Sequence, residues 1–311
     1  MSIEHHLDVR VDRTRVVSRR GFLKSVSAGA VAAGSLSWSD VVRLQAAERS
    51  RHGMACILLW MNGGPSQLDT LDPKPGHANG GETKAIATNV SGIQLADNLP
   101  NLAKIADEYA LVRSITSKEG NHLRATYQMH TGYIPTATVK HPTLGSHIAH
   151  QLPNPACELP HFVRIGGRGR AAGDGGLLGV EYDPFLMSDP SRSPDNTEIT
   201  TTSERYKRRL NLLGKVEQGF TREGGSQQVA DHQTLYGKAA KMILSPQMKA
   251  FDLASESRAV RSAYGEGSFA NGCLLARRLV ETGVKCVEVT LDGWDTHDDN
   301  FNRVRALSGQ V

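Results

Sequence analysis

The chain has 311 residues, of which 39% are hydrophobic, 5% aromatic and 22% charged, with a formal net charge of +4. This suits one large globular domain or about two average ones and excludes fibrous, collagen-like and wholly disordered chains. The charge is unevenly placed: residues 1–47 hold seven Lys or Arg against four Asp or Glu, and everything after them carries a net +1, too little to supply a basic patch for nucleic acid.

Inside that first segment, Ser18-Arg19-Arg20-Gly21-Phe22-Leu23-Lys24 precedes a weakly apolar stretch from Ser25 to Trp38, closed by Asp40. The stretch falls short of the about 20 apolar residues that span a bilayer, so no transmembrane helix is expected in the mature chain. An N-terminal amphipathic helix is one reading of these residues. The paired arginines, the Phe-Leu pair and the lysine, however, resemble a twin-arginine export signal. That resemblance implies a signal peptide over 1–47, recognition by the twin-arginine export machinery, and a mature domain over 48–311 delivered to the periplasm or the extracellular space. Signals of this class carry proteins that fold before transport, often with a metal inserted, which directs attention to metal-ligating residues. The four cysteines, Cys56, Cys157, Cys273 and Cys286, show no C-x-x-C spacing and allow three disulfide pairings between which sequence does not choose.

In chain order, Ala55 to Met61 is a continuous apolar run stopped by Asn62-Gly63-Gly64-Pro65, which predicts a strand buried on both faces. Leu99, Leu102, Ile105, Ala106 and Tyr109 follow helical spacing, with Asn98 as cap and Pro100 in the first turn. Ala110 to Ile115 reads as a second strand, and a helix from about His122 to His130 ends at Gly132. A further strand is predicted over 161–165, and the polar stretch 187–235, with one amphipathic piece around Tyr206, Leu210 and Leu213, reads as a cap or insertion. Phe269, Cys273, Ala276, Leu279 and Val280 mark a helix ended by Gly283, and 284–291 is a last apolar strand. Strands alternating with helices predict an α/β fold: a mainly parallel sheet with helices on both faces.

Ligands of such sheets bind at the carboxyl ends of the strands, where three polar clusters fall. They are Asn62 to Lys74, Gly120 to Arg124, and Asp292-Gly293-Trp294-Asp295-Thr296-His297-Asp298-Asp299. A helix N-terminus at the second cluster favours a phosphate or sulfate ester. Asp292 and His297, five residues apart across a turn, are within chelating reach of one divalent metal ion. The Gly166 to Gly179 loop is cationic but matches no phosphate-binding fingerprint and reads as a solvent loop.

Several motifs together carry a wider resemblance. They are Asn62-Gly63-Gly64-Pro65-Ser66-Gln67 with Asp69 and Asp72-Pro73-Lys74-Pro75, His122-Leu123-Arg124-Ala125-Thr126-Tyr127 with His130-Thr131-Gly132-Tyr133, Leu178-Gly179 with Asp183-Pro184-Phe185, Leu275 to Val284, and Gly293-Trp294-Asp295-Thr296-His297. From about residue 52 onward the chain resembles domain-of-unknown-function family 1501, itself similar to the alkaline phosphatase and sulfatase superfamily. The resemblance implies an alkaline-phosphatase-like fold and the hydrolysis of phosphate or sulfate esters with divalent metal. Asn62, Asp292 and His297 then fall at metal-ligand positions and His122 at the nucleophile position. Asn62 is a neutral ligand, and His122 stands where a Ser, Thr or Cys is usual, as a covalent nucleophile, a base, a metal ligand or a helix cap. Superfamily members carry a further Asp-His pair and a distal His, whereas this chain runs only fourteen residues beyond His297. A C-terminally truncated member, lacking its last strands and with little or no turnover, is therefore expected. The alternative is a noncatalytic envelope protein that binds an anionic glycan or a protein partner.

Overall fold

The computed structural model describes residues 9–12, 15–17, 53–167, 172–198 and 200–311. The twin-arginine stretch, the end of the expected signal peptide at residue 47, and Arg168 and Arg170 of the glycine-rich loop lie outside these residues. The chain divides into two units, 1–54 and 55–311. In the first, β1 (Val9–Asp12) and β2 (Arg15–Val17) form an antiparallel pair. Among the described residues, no helix is long and apolar enough to cross a membrane.

The second unit is built on a four-stranded, all-parallel sheet. Its strands are β3 (Cys56–Met61), β6 (Phe162–Ile165), β7 (Phe185–Met187) and β8 (Cys286–Leu291), in the spatial order β3-β8-β6-β7. A separate antiparallel hairpin of β4 (Ala85–Ala87) and β5 (Gln94–Ala96) lies with α1 (Pro100–Ala103) over a small core of Leu95, Leu99 and Ala103. The remaining helices are α2 (His122–Thr131), α3 (Leu144–Gln151), α4 (Ser203–Arg222), α5 (Ser226–Leu244), α6 (Arg258–Tyr264), α7 (Ser268–Thr282) and α8 (Asn300–Ser308).

β8 shows why the sheet is covered on both sides. Alternate residues of a strand face opposite ways. Val287, Val289 and Leu291 join Val163, Ile165 and the α7 residues Phe269, Leu275 and Leu279 in the main core. Gly272 of α7 lies so close to the sheet that a Cβ there would sit 2.7 Å from Val289 Cγ1. On the opposite face, Cys286 packs with Phe162 and with Ala149 of α3.

Glu288, also on that face, is a buried carboxylate in the middle of a parallel sheet. It is matched by two buried bases: His130 Nε2 is 3.2 Å from its Oε1 and Arg164 Nε 3.1 Å from its Oε2. The other nitrogen of His130, Nδ1, faces the Thr126 carbonyl at 2.8 Å. Arg164 also donates from Nη1 to the Gly173 carbonyl. Burial pushes the Glu288 carboxyl upward, but His130 and Arg164 outweigh it and hold the group below its ordinary 4.5.

Several expectations need correction. Residues 110–115 form no strand: Val112 and Ile115 are 62% and 65% exposed, and no neighbouring strand pairs with them among the described residues. The helix predicted from Leu99 to Tyr109 breaks after α1, because Ile105 leaves helical dihedrals and a 3-10 turn follows; Asn98 does not cap it but donates to the Asp69 carbonyl. β3 is not buried on both faces: it is an edge strand with Ile57 and Leu59 exposed. Met187 is the last residue of β7, and the segment 187–235 leads on into α4 and α5, whose Ala240 and Met242 are buried.

Replacing Glu288 with Ala leaves the buried Arg164 guanidinium without its counterion and the buried His130 without its carboxylate partner, and the expected loss is about 3–5 kcal/mol in urea unfolding. Because the folded carboxyl is held below its ordinary value, its contribution is present above pH 4.5 and is lost as pH falls through the folded value. The acid limb of the stability profile should therefore flatten in Glu288→Gln relative to the unsubstituted chain.

Candidate metal centre

The register of β3 on β8 runs from Cys56 opposite Cys286 to Met61 opposite Leu291, so the loops after both strands leave side by side. Backbone hydrogen bonds carry the pairing into those loops: Asn62 N–H donates to the Leu291 carbonyl at 2.9 Å, and Trp294 N–H to the Asn62 carbonyl at 3.1 Å. Gly63 follows with φ of +112°, and a Cβ there would fall 2.4 Å from the Asp295 nitrogen. Only glycine permits both the backbone conformation and this approach. Trp294 is buried in the main core and anchors the second loop from below.

A carboxylate bolts the loops together. Asp69, buried, accepts from the Thr83 hydroxyl and from Asn300 Nδ2 at 2.8 Å, and Asn300 in turn accepts from the Thr296 hydroxyl at 2.6 Å. Burial raises the Asp69 carboxyl, but hydrogen bonds from Ser66, Thr83 and Asn300 more than compensate and hold it below its ordinary value. The loop that carries His297 is thus fastened both to the first loop and to the start of α8.

α2 delivers His122 to the same place. Asn121 caps the helix, its side chain accepting from Leu123 N–H at 3.1 Å and Arg124 N–H at 3.3 Å, and Gly132 ends it in the left-handed conformation at φ 78°. His122 is the first helical residue and does not cap. The free N–H groups expected for a phosphate are partly taken by Asn121, and Arg124 is paired with Glu119 at 2.8 Å.

His122 Nε2 lies 3.3 Å from Asp295 Oδ2, and His297 Nε2 lies 2.8 Å from Asp295 Oδ1. One ligand atom from each of His122, Asp295 and His297 lies within 4.8 Å of the others, and all three residues are exposed. Two imidazoles and a carboxylate on an open surface fit a divalent transition-metal ion with positions left for exchangeable ligands.

Of the residues expected at the site, His122 and His297 meet through Asp295. Asn62 and Asp292 instead pair with each other, Asn62 Nδ2 donating to Asp292 Oδ1 at 2.7 Å while its amide oxygen accepts from Trp60 Nε1 at 3.3 Å. Asp295 stands within the Gly293-Trp294-Asp295-Thr296-His297 motif, and its placement two residues before His297, on the same turn, is the signal that the sequence carries for it. Asn300 carried no signal in the sequence.

A family model described as "protein of unknown function (DUF1501)" matches residues 54–311. The chain belongs to the DUF1501 family. The match takes in the whole parallel sheet and every residue of the centre. No curated protein and no solved structure matches the chain.

Within this DUF1501 domain, Gly63→Ala should lower stability by about 1–3 kcal/mol through backbone strain, and more if the Asp295 backbone cannot retreat. Urea unfolding measures the loss. Gly64→Ala, also at positive φ but with open space around its Cβ, separates strain from collision.

Proposed function

We propose that the carboxyl end of the sheet is a divalent-cation centre and that the protein, once exported, acts on phosphate or sulfate esters. The observation that carries this reading is the convergence of His122, Asp295 and His297, from two distant stretches of chain, within 4.8 Å at the end of the sheet where parallel α/β proteins take their ligands. In this reading the two histidines bind through Nε2 and Asp295 through a carboxylate oxygen. A divalent cation held there supplies Lewis-acid stabilisation of the charge that builds on an ester oxygen. The residues of the chain do the rest. Asn62 and Asp292 brace one another beside the loop, Gly63 sets the height of Asp295, and the positive end of the α2 dipole adds a modest attraction for an anionic ester.

A second reading, a noncatalytic envelope protein that uses the centre to bind an anionic glycan or a partner, draws on the openness of the site. His297 is 79% exposed, and among the described residues nothing encloses it in the way that hydrolytic chemistry favours.

Titration of the purified protein with zinc or manganese should show one cation bound per chain. Asp295→Ala and His297→Ala should each weaken it at least about tenfold, equal to about 1.4 kcal/mol, while Asn62→Ala should change it far less. Absence of stoichiometric metal overturns the centre. Hydrolysis of an aryl phosphate or aryl sulfate that disappears in His122→Ala supports the ester hydrolase, whereas stoichiometric metal without hydrolysis of either supports the binding role.

A further inference from the structure

The amino ends of the same two strands hold a second chemical group. Cys56 opens β3 and Cys286 opens β8, and the two are direct partners in the parallel register. In-register residues of neighbouring strands point to the same face and lie about 4.8 Å apart, inside the window of Cα separations that a disulfide bridges. Cys286 is buried against Phe162 and Ala149, and Cys56, half-buried on the edge strand, packs against that cluster. Cys157 and Cys273 share no strand register with either of them.

We propose that Cys56 and Cys286 are a redox-active pair that closes to a cross-strand disulfide by exchange with a disulfide oxidant, small-molecule or protein. The chemistry has an order. The Cys286 thiol donates to Cys56 and lowers it to about 7, so Cys56 is substantially thiolate near neutral pH. The same contact, together with burial, pushes Cys286 upward. Burial alone raises Cys273 to about 11 and also raises Cys157, which makes both poor nucleophiles. Cys56 thiolate attacks one sulfur of the oxidant, forming a mixed disulfide and expelling one thiolate. Cys286 then gives up its proton, attacks Cys56 Sγ and expels the second. Two protein thiols become one disulfide, and the oxidant disulfide becomes two thiols. The bridge ties an edge strand held by one neighbour to the centre of the sheet. It sits five residues, about 16 Å, from the ends of both strands, so it fixes the register of the two loops without touching the metal centre.

The test is oxidation of the reduced full-length protein with glutathione disulfide. The expected product has lost two hydrogens by intact mass and yields one proteolytic fragment linking Cys56 to Cys286. Its melting midpoint should lie several degrees above that of the reduced protein. Cys286→Ser should stop at a stable glutathione adduct on Cys56, and Cys56→Ser should form neither adduct nor bridge. The proposal is overturned if Cys56 and Cys286 both remain open to alkylation after oxidation of the unsubstituted chain, or if the bridge formed contains Cys157 or Cys273. None of these readings depends on metal, so the outcome is independent of the centre at the other end of the strands.

Discussion

β3 and β8 come from opposite ends of the 55–311 unit, and their in-register parallel pairing over six residues aligns nearly everything of chemical interest. Because side chains alternate along a strand, a slip of one residue would reverse which of them face α7 and which face α2 and α3. It would also separate Asn62 from Asp292, and Gly63 from the Asp295 nitrogen on which it rests. The apolar face of β8 resists such a slip, since Val287, Val289 and Leu291 are all buried against α7 and its neighbours. Parallel strands need long connections, and the main core is largely what those connections bury.

The polar face of β8 resists it differently. Glu288 has buried bases on two sides, one from β6 and one from α2. A buried ion group contributes less to net stability than an apolar replacement of equal shape would, but it is intolerant of displacement. Here the intolerance has a use. His130 lies in the last turn of α2 and His122 in its first, along a ten-residue helix about 15 Å long. Fixing His130 on Glu288 therefore limits where His122 can stand, and couples the middle of the sheet to the cluster of His122, Asp295 and His297 at its end.

Much of this was legible in the sequence where a local signal and the tertiary structure agree. The continuous apolar run at 55–61 and the mostly apolar one at 284–291 carry the strands Cys56–Met61 and Cys286–Leu291, and α7 carries its apolar stripe and stops at Gly283, in the left-handed conformation. α2 starts and ends where Asn121 and Gly132 indicate. Legibility failed where a strand-like or helix-like run lacks its partner. Ala110 to Ile115 has strand composition but no ladder, and Ile105 has helical spacing but faces solvent. It failed for β7 because three residues are too few to show a period. Glu288 was passed over for the opposite reason: one charged residue in an apolar strand looks like an interruption until its two partners, from segments far away in sequence, are seen. At the candidate site the residue types were visible, but the choice of Asp295 over Asp292 as the companion of His297 depends on how the turn after β8 closes, which Asn300 and Asp69 decide from outside it.

The position of Asp295 also bears on the proposed cation site. Each histidine directs Nε2 at a carboxylate oxygen, at 2.8 and 3.3 Å. An imidazole nitrogen offers a lone pair to a metal only when it carries no proton, so in the proposed site a proton and a cation would exclude one another at Nε2. Asp295 is a suitable partner in both, accepting from the two rings in the first and supplying an anionic oxygen in the second. In the proposed site the carboxylate keeps the histidines gathered beforehand, which would reduce the ordering that cation binding otherwise requires.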